Sequence, residues 1–382
     1  MANAIDAKSP YTGGHCERVP KLAQMLAEQA ESASDGPFAR FRMTEDERYE
    51  FRLAAWLHDC GKITSPEYVV DKAVKLETIH NRIHEIRTRF EVLHRDADIR
   101  YLKACLAGDH EHQARQQRDQ LQETLQEEFA FLARVNQGSE SMSDDDVARI
   151  HQIGSRTWLR NFNDRLGLSD DEQQALEHQP TPELPVMETL LADKPGHLRS
   201  WGDNIPPVRK DDPRNRWGFD MTLPEHAYNR GELHNLTVRY GTLTDEERFK
   251  INEHIVQTIC MLDALPLPDR LANVPRLAGT HHERMDGNGY PCRLTGEKMS
   301  IPEKIMAIAD VFEALTAVDR PYKRGKTLSE SLGLMAVMVD KGHLDKDTFN
   351  LFLQSRIWLT YAQQHLRPEQ IDPVDESLFM KP

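Results

Sequence analysis

The sequence has few cysteines and no long apolar segment, and both absences exclude classes of protein. Its five cysteines are scattered along the chain without a CxxC pair, so a disulfide framework is not predicted. No segment reaches the roughly 18 to 20 consecutive apolar residues that a membrane span needs. The first thirty residues also lack the apolar core of a signal peptide. These features predict a cytoplasmic protein with no membrane partner.

The chain also lacks the basic excess of a protein that binds duplex nucleic acid. Its 382 residues carry a formal net charge of −14, whereas binding to a phosphate backbone requires a basic surface. A nucleic-acid duplex is therefore not predicted as a partner. A nucleotide substrate would instead have to meet lysine and arginine side chains placed locally beside a reactive site.

A third absence concerns β-structure. No stretch of useful length alternates apolar and polar residues, so we predict an all-α fold. Helical patterns fill residues 11–75 and 236–365. Between them, residues 84–134 read as a long charged, glutamine-rich helix with apolar residues at three- and four-residue spacing. The pattern is broken by VNQGSES and resumes at MSDDDVARIHQIGSRTWLRNF, which predicts a helical hairpin like an antiparallel coiled coil. Residues 167–232 are rich in proline and predict an irregular connector.

Histidine and aspartate occur together at the end of one predicted helix, in the sequence LAAWLHDCGK. Helical spacing places His58 and Lys62 on one stripe, with Asp59 beside His58 and Gly61 marking the helix end. A single His-Asp pair is equally compatible with a solvated helix terminus. The pair alone therefore leaves both interpretations open.

Another histidine, His254, lies in a helix whose start is predicted at Thr244 by a capping box with Glu247. It borders the apolar stripe that contains Ile251 and Ile255, so it is expected to face the edge of the core. A lone histidine in this position is more often a core residue than a ligand. The pattern alone does not decide between the two.

Three further candidates lie nearer the C-terminus. His281 and His282 are adjacent, and on a helix their side chains would diverge by about 100°, serving two metal ions or two sides of one. Asp310 lies in the apolar run IMAIADVFEAL, in a helix that a capping box starts at Ser300. A carboxylate in such a run is costly unless it is paired or bound to a metal.

Together these residues form a set of imidazoles and carboxylates without thiolates, which favours iron or manganese over structural zinc. Two such ions a few ångströms apart can hold a bridging hydroxide and polarise a phosphodiester. Hydrolysis would then need no nucleophilic side chain.

Four segments, in this order, resemble the HD-GYP subgroup of the HD superfamily of metal-dependent phosphohydrolases. They are HDCGK at 58–62, HHERMDGNGYP at 281–291, AIADVFEALT at 307–316 and RPYK at 320–323. The resemblance covers roughly residues 11–75 and 236–345. It implies an all-α helical bundle, two or three metal ions, and hydrolysis of cyclic di-GMP to linear pGpG, to GMP or to both.

Carried over position by position, the resemblance implies roles for single residues. Asp59 and Lys62 would take part in catalysis, and Lys62 would contact substrate phosphates together with Arg320 and Lys323. Tyr290 would pack on a base of the substrate or, as an equal alternative, anchor its own loop. The implied metal ligands are His58, Asp59, His254, His281, His282 and Asp310.

The sequence departs from the family pattern near the ligands. Tyr11 occupies the position of a glutamate that family members with a third metal carry. We therefore expect two divalent metal ions, with His15 as an accessory ligand or a neighbour of the ligands. The segment before RPYK is one residue longer than usual, which could shift Arg320 and Lys323 relative to the metals.

The largest departure is an insertion. Residues 76–235 interrupt a predicted catalytic domain formed by residues 1–75 and 236–382, and they comprise the predicted hairpin and connector. We expect the insertion to serve homodimerisation or regulation, and a passive elaboration is an equal alternative.

Two other functions are compatible with the same residues. One is hydrolysis of another cyclic dinucleotide or nucleotide at the same metal centre. The other is a catalytically silent protein that binds cyclic di-GMP and signals through the insertion. The complete ligand set and Lys62 favour an enzyme, because a pure binding protein has no chemical need for them.

Overall fold

The computed structural model describes residues 14–139, 141–203, 205–317 and 325–381. Within these ranges the chain is mainly helical, which confirms the predicted all-α class. The helices in the first half are α1 (His15–Ser32), α2 (Glu45–Leu57), α3 (Glu67–Val70), α4 (Ile83–Ala107), α5 (Glu111–Asn136), α6 (Asp144–Gly154) and α7 (Asp170–Ala175). Those in the second half are α8 (Glu232–Leu236), α9 (Asp245–Asp263), α10 (Val274–Gly279), α11 (Ile301–Thr316), α12 (Leu328–Asp340), α13 (Lys346–Gln354) and α14 (Ile357–His365).

Four short strands, which the sequence analysis does not predict, form two antiparallel pairs. They are β1 (Thr157–Arg160) with β2 (Val186–Thr189), and β3 (Leu198–Arg199) with β4 (Tyr228–Asn229). None exceeds four residues, although β1 and β2 alternate exposed positions with half-buried or buried ones. Such strands are too short to produce a periodic pattern in the sequence.

The chain forms two compact units. The first contains the described parts of Met1–Asp71, Pro206–Leu223 and Phe249–Pro382, and the second contains Lys72–Ile205 and Pro224–Arg248. Residues 206–223, part of the proline-rich connector in sequence, therefore belong to the first unit. The functional division into a catalytic domain and an insertion stays a prediction.

The core of the first unit forms where α1 packs against α2, α11 and α14. In α11 the apolar residues Ile305, Ile308 and Phe312 are fully buried, as their three- and four-residue spacing predicts. Phe312 packs edge-on against Phe352, with ring centroids 5.1 Å apart. The predicted capping box is present, since Ser300 and Glu303 bond each other's backbone at the start of α11.

The second unit is built around a hairpin of α4 and α5, which pack against each other. The left-handed Gly108, with φ of +87°, ends α4 and allows the chain to reverse before α5 begins. Ile86 and Phe90 of α4 and Leu125 and Leu132 of α5 are buried in one cluster. A helical hairpin is thus present, but its turn lies at Gly108, inside the run predicted as one helix, and not at VNQGSES.

Among the described residues, the structure contains no helix that is both long enough and apolar enough to cross a membrane. The cytoplasmic location and a homodimer formed through the hairpin stay predictions.

Candidate metal centre

The His-Asp pair lies where α2 ends. His58 follows the last residue of α2, and Asp59 begins a short turn of 3-10 helix, Cys60–Thr64. A Cβ atom at Gly61 would lie 1.9 Å from the carbonyl oxygen of His254, so only glycine lets this turn lie against α9. Thr258 completes the junction: its hydroxyl accepts from the Gly61 N–H at 2.9 Å and donates to the His58 carbonyl at 3.2 Å.

His254 is 2% exposed and lies on α9, as predicted. Its Nδ1 contacts the backbone carbonyl of Ile251, and its Nε2 lies 3.1 Å from Oδ1 of Asp59. The helix pattern alone favours a plain core residue here, whereas the family resemblance implies a metal ligand. The structure instead turns the free ring nitrogen toward the aspartate of the motif.

The adjacent histidines do not lie on a helix. Helix α10 ends at Gly279, and His281 and His282 occupy the turn that follows. Their ring centroids are 4.2 Å apart, so the two side chains converge. The expectation of a 100° divergence is wrong because the helix stops two residues before them.

Asp310 lies on α11 with 7% exposure and faces the first residue of α1. Its Oδ1 is 3.4 Å from Nε2 of His15, and that same nitrogen is 3.2 Å from Oδ2 of Asp59. The other ring nitrogen of His15 contacts the carboxylate of Glu313, which also accepts from Arg18 Nε at 2.6 Å.

Glu313 and Arg18 are residues that the sequence analysis missed. Glu313 is 1% exposed and lies one helical turn after Asp310, in the same apolar run. The signal that could have found it is this spacing, because a second carboxylate at i+3 shares the helix face of the first. The structure therefore gives His15 a fixed orientation toward the predicted ligands.

The structure brings all six predicted ligands and His15 together. Three overlapping groups each have their ligand atoms within 4.8 Å of one another, the spacing of side chains that could hold a metal ion. The groups are His254 with His281 and His282, His15 with His58 and Asp310, and His58 with Asp59 and His281.

The hydrogen bonds of the histidines fit metal binding. Nδ1 of His58, His254 and His281 each contacts a backbone carbonyl three residues earlier. A carbonyl oxygen only accepts, so we assign the proton to Nδ1 and a free lone pair to Nε2. This is the usual arrangement of a ligating histidine, whose other nitrogen is held by the surrounding protein.

Unsatisfied buried atoms support the same conclusion. Within the described residues, Nε2 of His254, Nε2 of His281 and Oδ1 of Asp59 are buried and make no hydrogen bond. Three unsatisfied polar atoms facing one another would be costly in a plain core. Imidazole and carboxylate donors that converge in this way fit a divalent cation.

The pKa values of His281, His282 and Asp59 are shifted toward the forms that bind metal. Burial lowers the pKa of His281 to about 3 and the pKa of His282 well below its ordinary value, so both rings are neutral at pH 7. Burial alone would raise the pKa of Asp59, but Lys62 and His58 lower it well below its ordinary range. Neutral imidazoles and ionised carboxylates are the ligating forms.

His15 responds to the carboxylates around it. Burial alone would lower its pKa, but hydrogen bonds to Asp310, Asp59 and Glu313 raise it well above its ordinary value. This part of the site therefore favours positive charge, as a cation site should.

Of the residues predicted to contact substrate, Lys62 and Tyr290 lie beside the cluster. Nζ of Lys62 donates to Oδ2 of Asp59, and the lysine side chain keeps 24% of its surface exposed. The ring of Tyr290 lies 4.9 Å from that of His282, centroid to centroid. Arg320 and Lys323, like Tyr11, lie outside the described residues.

Residues 283–294, which we call the GYP loop, are held from within by Glu283. This fully buried carboxylate accepts from the Cys292 N–H at 2.6 Å and the Leu294 N–H at 2.8 Å. A Cβ atom at Gly289 would lie 2.4 Å from the Arg284 nitrogen, which explains the glycine. The Tyr290 N–H donates to the carbonyl of His282 at 3.2 Å, and this bond joins the loop to the residue before it.

Comparison with known protein families points to the HD domain. Two family models, both described as HD domain, match residues 12–193 and 185–348. The first range contains His58 and Asp59, and the second contains His254, His281, His282 and Asp310. Each model covers slightly less than half of the chain, and the chain is thus similar to HD-domain proteins over residues 12–348.

Curated relatives share this region. The chain is 45% identical to 3'3'-cGAMP-specific phosphodiesterase 1 of Vibrio cholerae over 147 residues, which are 36% of this chain and 33% of the relative. It is 46% identical over 119 residues to the cyclic di-GMP phosphodiesterase response regulator RpfG of Xanthomonas campestris, covering 31% of each protein. A cyclic di-GMP phosphodiesterase of Pseudomonas aeruginosa is 36% identical over 115 residues, 30% of this chain and 27% of the relative. The matched region thus spans about a third or less of these relatives.

Proposed function

We propose that this protein is a metal-dependent phosphodiesterase that hydrolyses a cyclic dinucleotide, with cyclic di-GMP as the first candidate. The observation that carries the proposal is the convergence of Nε2 lone pairs and ionised carboxylates in the cluster of seven side chains. The names of the curated relatives support the same reaction class.

The grouping of the side chains supports two metal positions. His254, His281 and His282 would hold one ion, and His15, His58 and Asp310 would hold the other. Asp59 faces both groups, because Oδ1 points to His254 at 3.1 Å and Oδ2 points to His15 at 3.2 Å. The donor set suits iron or manganese. When bound, such ions would neutralise phosphodiester charge and lower the pKa of a coordinated water.

The chain's own cations and loop would orient the substrate. Lys62 is held at the edge of the cluster by Asp59. Burial alone would lower its pKa, but the charge of Asp59, the hydrogen bond to Asp59 and the charge of Asp310 together raise it above its ordinary value. Lys62 therefore stays charged and would bind a phosphate oxygen of the substrate. Tyr290 covers His282 and would form the wall against which a base packs.

A second substrate is favoured by one observation. One of the relatives described above is named as specific for 3'3'-cGAMP, and its match is the longest of the three. This molecule has the same two phosphodiester bonds, so the cluster would act on it by the same chemistry. A preference for one of the two substrates would come from the contacts to the one base in which they differ.

The decisive experiment is turnover of cyclic di-GMP and 3'3'-cGAMP by protein purified anaerobically with ferrous iron or manganese. We expect release of linear dinucleotide or mononucleotide that depends on metal and is absent from Asp59→Ala. Comparing the two substrates at equal concentration assigns the preference. Tight binding of cyclic di-GMP without turnover under every metal condition would contradict the proposed enzyme and support a cyclic di-GMP sensor instead.

A further inference from the structure

Pro206–Leu223, which we call the strap, lies in the same compact unit as the candidate metal centre. The chain enters the strap from the second unit and returns to that unit afterwards. The strap contains no helix or strand. It nevertheless forms specific contacts with the GYP loop, about seventy residues away in the sequence.

The strap has an ordered interior of its own. Oδ1 of Asn215 accepts from the N–H groups of Gly218 and Phe219 at 3.1 and 3.0 Å, and its Nδ2 donates to the Phe219 carbonyl at 2.8 Å. Phe219 is fully buried, and its ring stacks on that of Trp217 with centroids 5.3 Å apart. A segment bonded in this way presents its backbone at fixed positions.

Three hydrogen bonds join the strap to the GYP loop. The Asp220 N–H donates to the Pro291 carbonyl at 2.7 Å, and Arg293 Nε donates to the Asp220 carbonyl at 3.0 Å. Sγ of Cys292 lies 3.7 Å from the carbonyl of Trp217 as a weaker third bond. The strap thus contacts three consecutive residues that directly follow Tyr290.

The strap is also tied to the helix that carries a candidate ligand. Trp217 Nε1 donates to Oδ2 of Asp263 at 3.1 Å, and Arg216 pairs with the same carboxylate. Asp263 is the last residue of α9, the helix of His254. The strap therefore links the GYP loop to the end of α9, the helix that carries His254.

We propose that the strap positions the GYP loop, and with it Tyr290, for binding of the cyclic dinucleotide. This inference rests on the proposed function. None of the strap's bonds described above ends on a candidate ligand, so weakening them would release Tyr290 without removing a metal-binding side chain. Substrate affinity should therefore fall while the metal stays bound.

The test uses two variants and a matched control. Arg293→Met removes the Nε donor to the strap, and Trp217→Phe removes the indole donor to Asp263 while keeping an aromatic ring. Arg209→Met is the control, because Arg209 lies in the strap but its side chain pairs only with the exposed Asp211 among the described residues. Each variant is measured for KM and kcat, for bound metal per chain, and for hydrogen exchange of peptides from the GYP loop.

We expect Arg293→Met and Trp217→Phe each to raise KM for cyclic di-GMP by about fivefold, the effect of one ordinary hydrogen bond. Their kcat and metal content should stay close to wild type, and amides of the GYP loop should exchange faster. Arg209→Met should behave as wild type. Unchanged KM and loop exchange in both variants would overturn the proposal.

The readouts separate this inference from the proposed function. If wild-type protein turns over no cyclic dinucleotide, the proposed function fails, and hydrogen exchange still tests whether the strap holds the loop. If wild type is active and Arg209→Met raises KM as much as Arg293→Met, the strap acts only through general stability and the positioning role is excluded.

Discussion

Nε2 of His254 lies 3.1 Å from Oδ1 of Asp59, and neither atom makes a hydrogen bond within the described parts of the chain. Both are buried, and the histidine proton is held on the opposite side of the ring by the Ile251 carbonyl. Two acceptors that face each other at this distance repel unless a cation lies between or beside them. This relationship, more than the motif itself, supports the proposed metal centre.

The first prediction concerns Asp59, which faces both groups of histidines. Asp59→Asn keeps the shape of the side chain but removes the charge that the cluster presents to a cation. We expect metal affinity to fall by a factor of about 100 or more, with turnover lost in parallel. Metal analysis after gel filtration and an activity assay check both effects. Because Asn fits the same space, circular dichroism should remain helical, and full metal content in this variant would contradict the assignment.

The second prediction concerns stability. A ligand that binds only the folded state raises the free energy of unfolding, by about 2.7 kcal/mol at a free concentration one hundred times its Kd. Manganese or ferrous iron should therefore raise the melting temperature of chelator-treated protein. Calcium, which prefers oxygen ligands, should raise it much less. Equal melting curves with and without manganese would show that the histidines are ordinary core residues.

Much of this arrangement can be predicted from the sequence, and the limits have physical causes. The periodicity of α11 places Asp310 correctly because helix spacing is a local property. The turn at His281 and His282 was missed because α10 is only six residues long and its end carries no distinct signal. Glu313 was missed for another reason: its partner His15 lies 298 residues away, and only the tertiary fold brings the two together.

The strap shows a second limit of prediction from sequence. Its prolines correctly indicate the absence of helix and strand, and this composition suggested a mere connector. Its bonds to Pro291 and Arg293 involve mainly backbone atoms, as donors or acceptors. Backbone bonds between distant segments leave little trace in residue type, so composition could not reveal this contact.

The third prediction tests the junction of the HDCGK turn with α9. A Cβ atom at residue 61 would lie 1.9 Å from the His254 carbonyl oxygen and 2.6 Å from the Thr258 nitrogen. Gly61→Ala should therefore destabilise the fold by about 1 to 3 kcal/mol, the usual cost of overpacking, and weaken metal binding as His58 moves. Gly333→Ala in α12 is the matched control, since its nearest neighbour would be an ordinary contact at 3.5 Å. That control should gain about 0.5 to 1 kcal/mol from lower backbone entropy, and equal melting of the two variants would contradict the packing argument.

The last prediction concerns pH and a pair in the second unit that is not among the candidate ligands. His234 on α8 lies 3.0 Å from Glu246 in the first turn of α9. The hydrogen bond to Glu246 raises the pKa of His234 above its ordinary value of 6.5, against the effect of burial, and the charges of Glu246, Asp193 and Asp245 add to the rise. Burial alone would raise the pKa of Glu246, but the bond to His234 helps to lower it below 4.5.

The sign of the pH effect follows from these two directions. A histidine whose pKa is raised on folding contributes stability that is complete below pH 6.5 and is lost as the pH rises through the folded pKa. A glutamate whose pKa is lowered contributes stability that is present above pH 4.5 and is lost as the pH falls through its folded pKa. The pair therefore stabilises most between about pH 4.5 and 6.5. Denaturant unfolding of wild type and Glu246→Gln should differ most at pH 5.5 and least at pH 8.5, and a difference independent of pH would show that the pair contributes no charge-dependent stability.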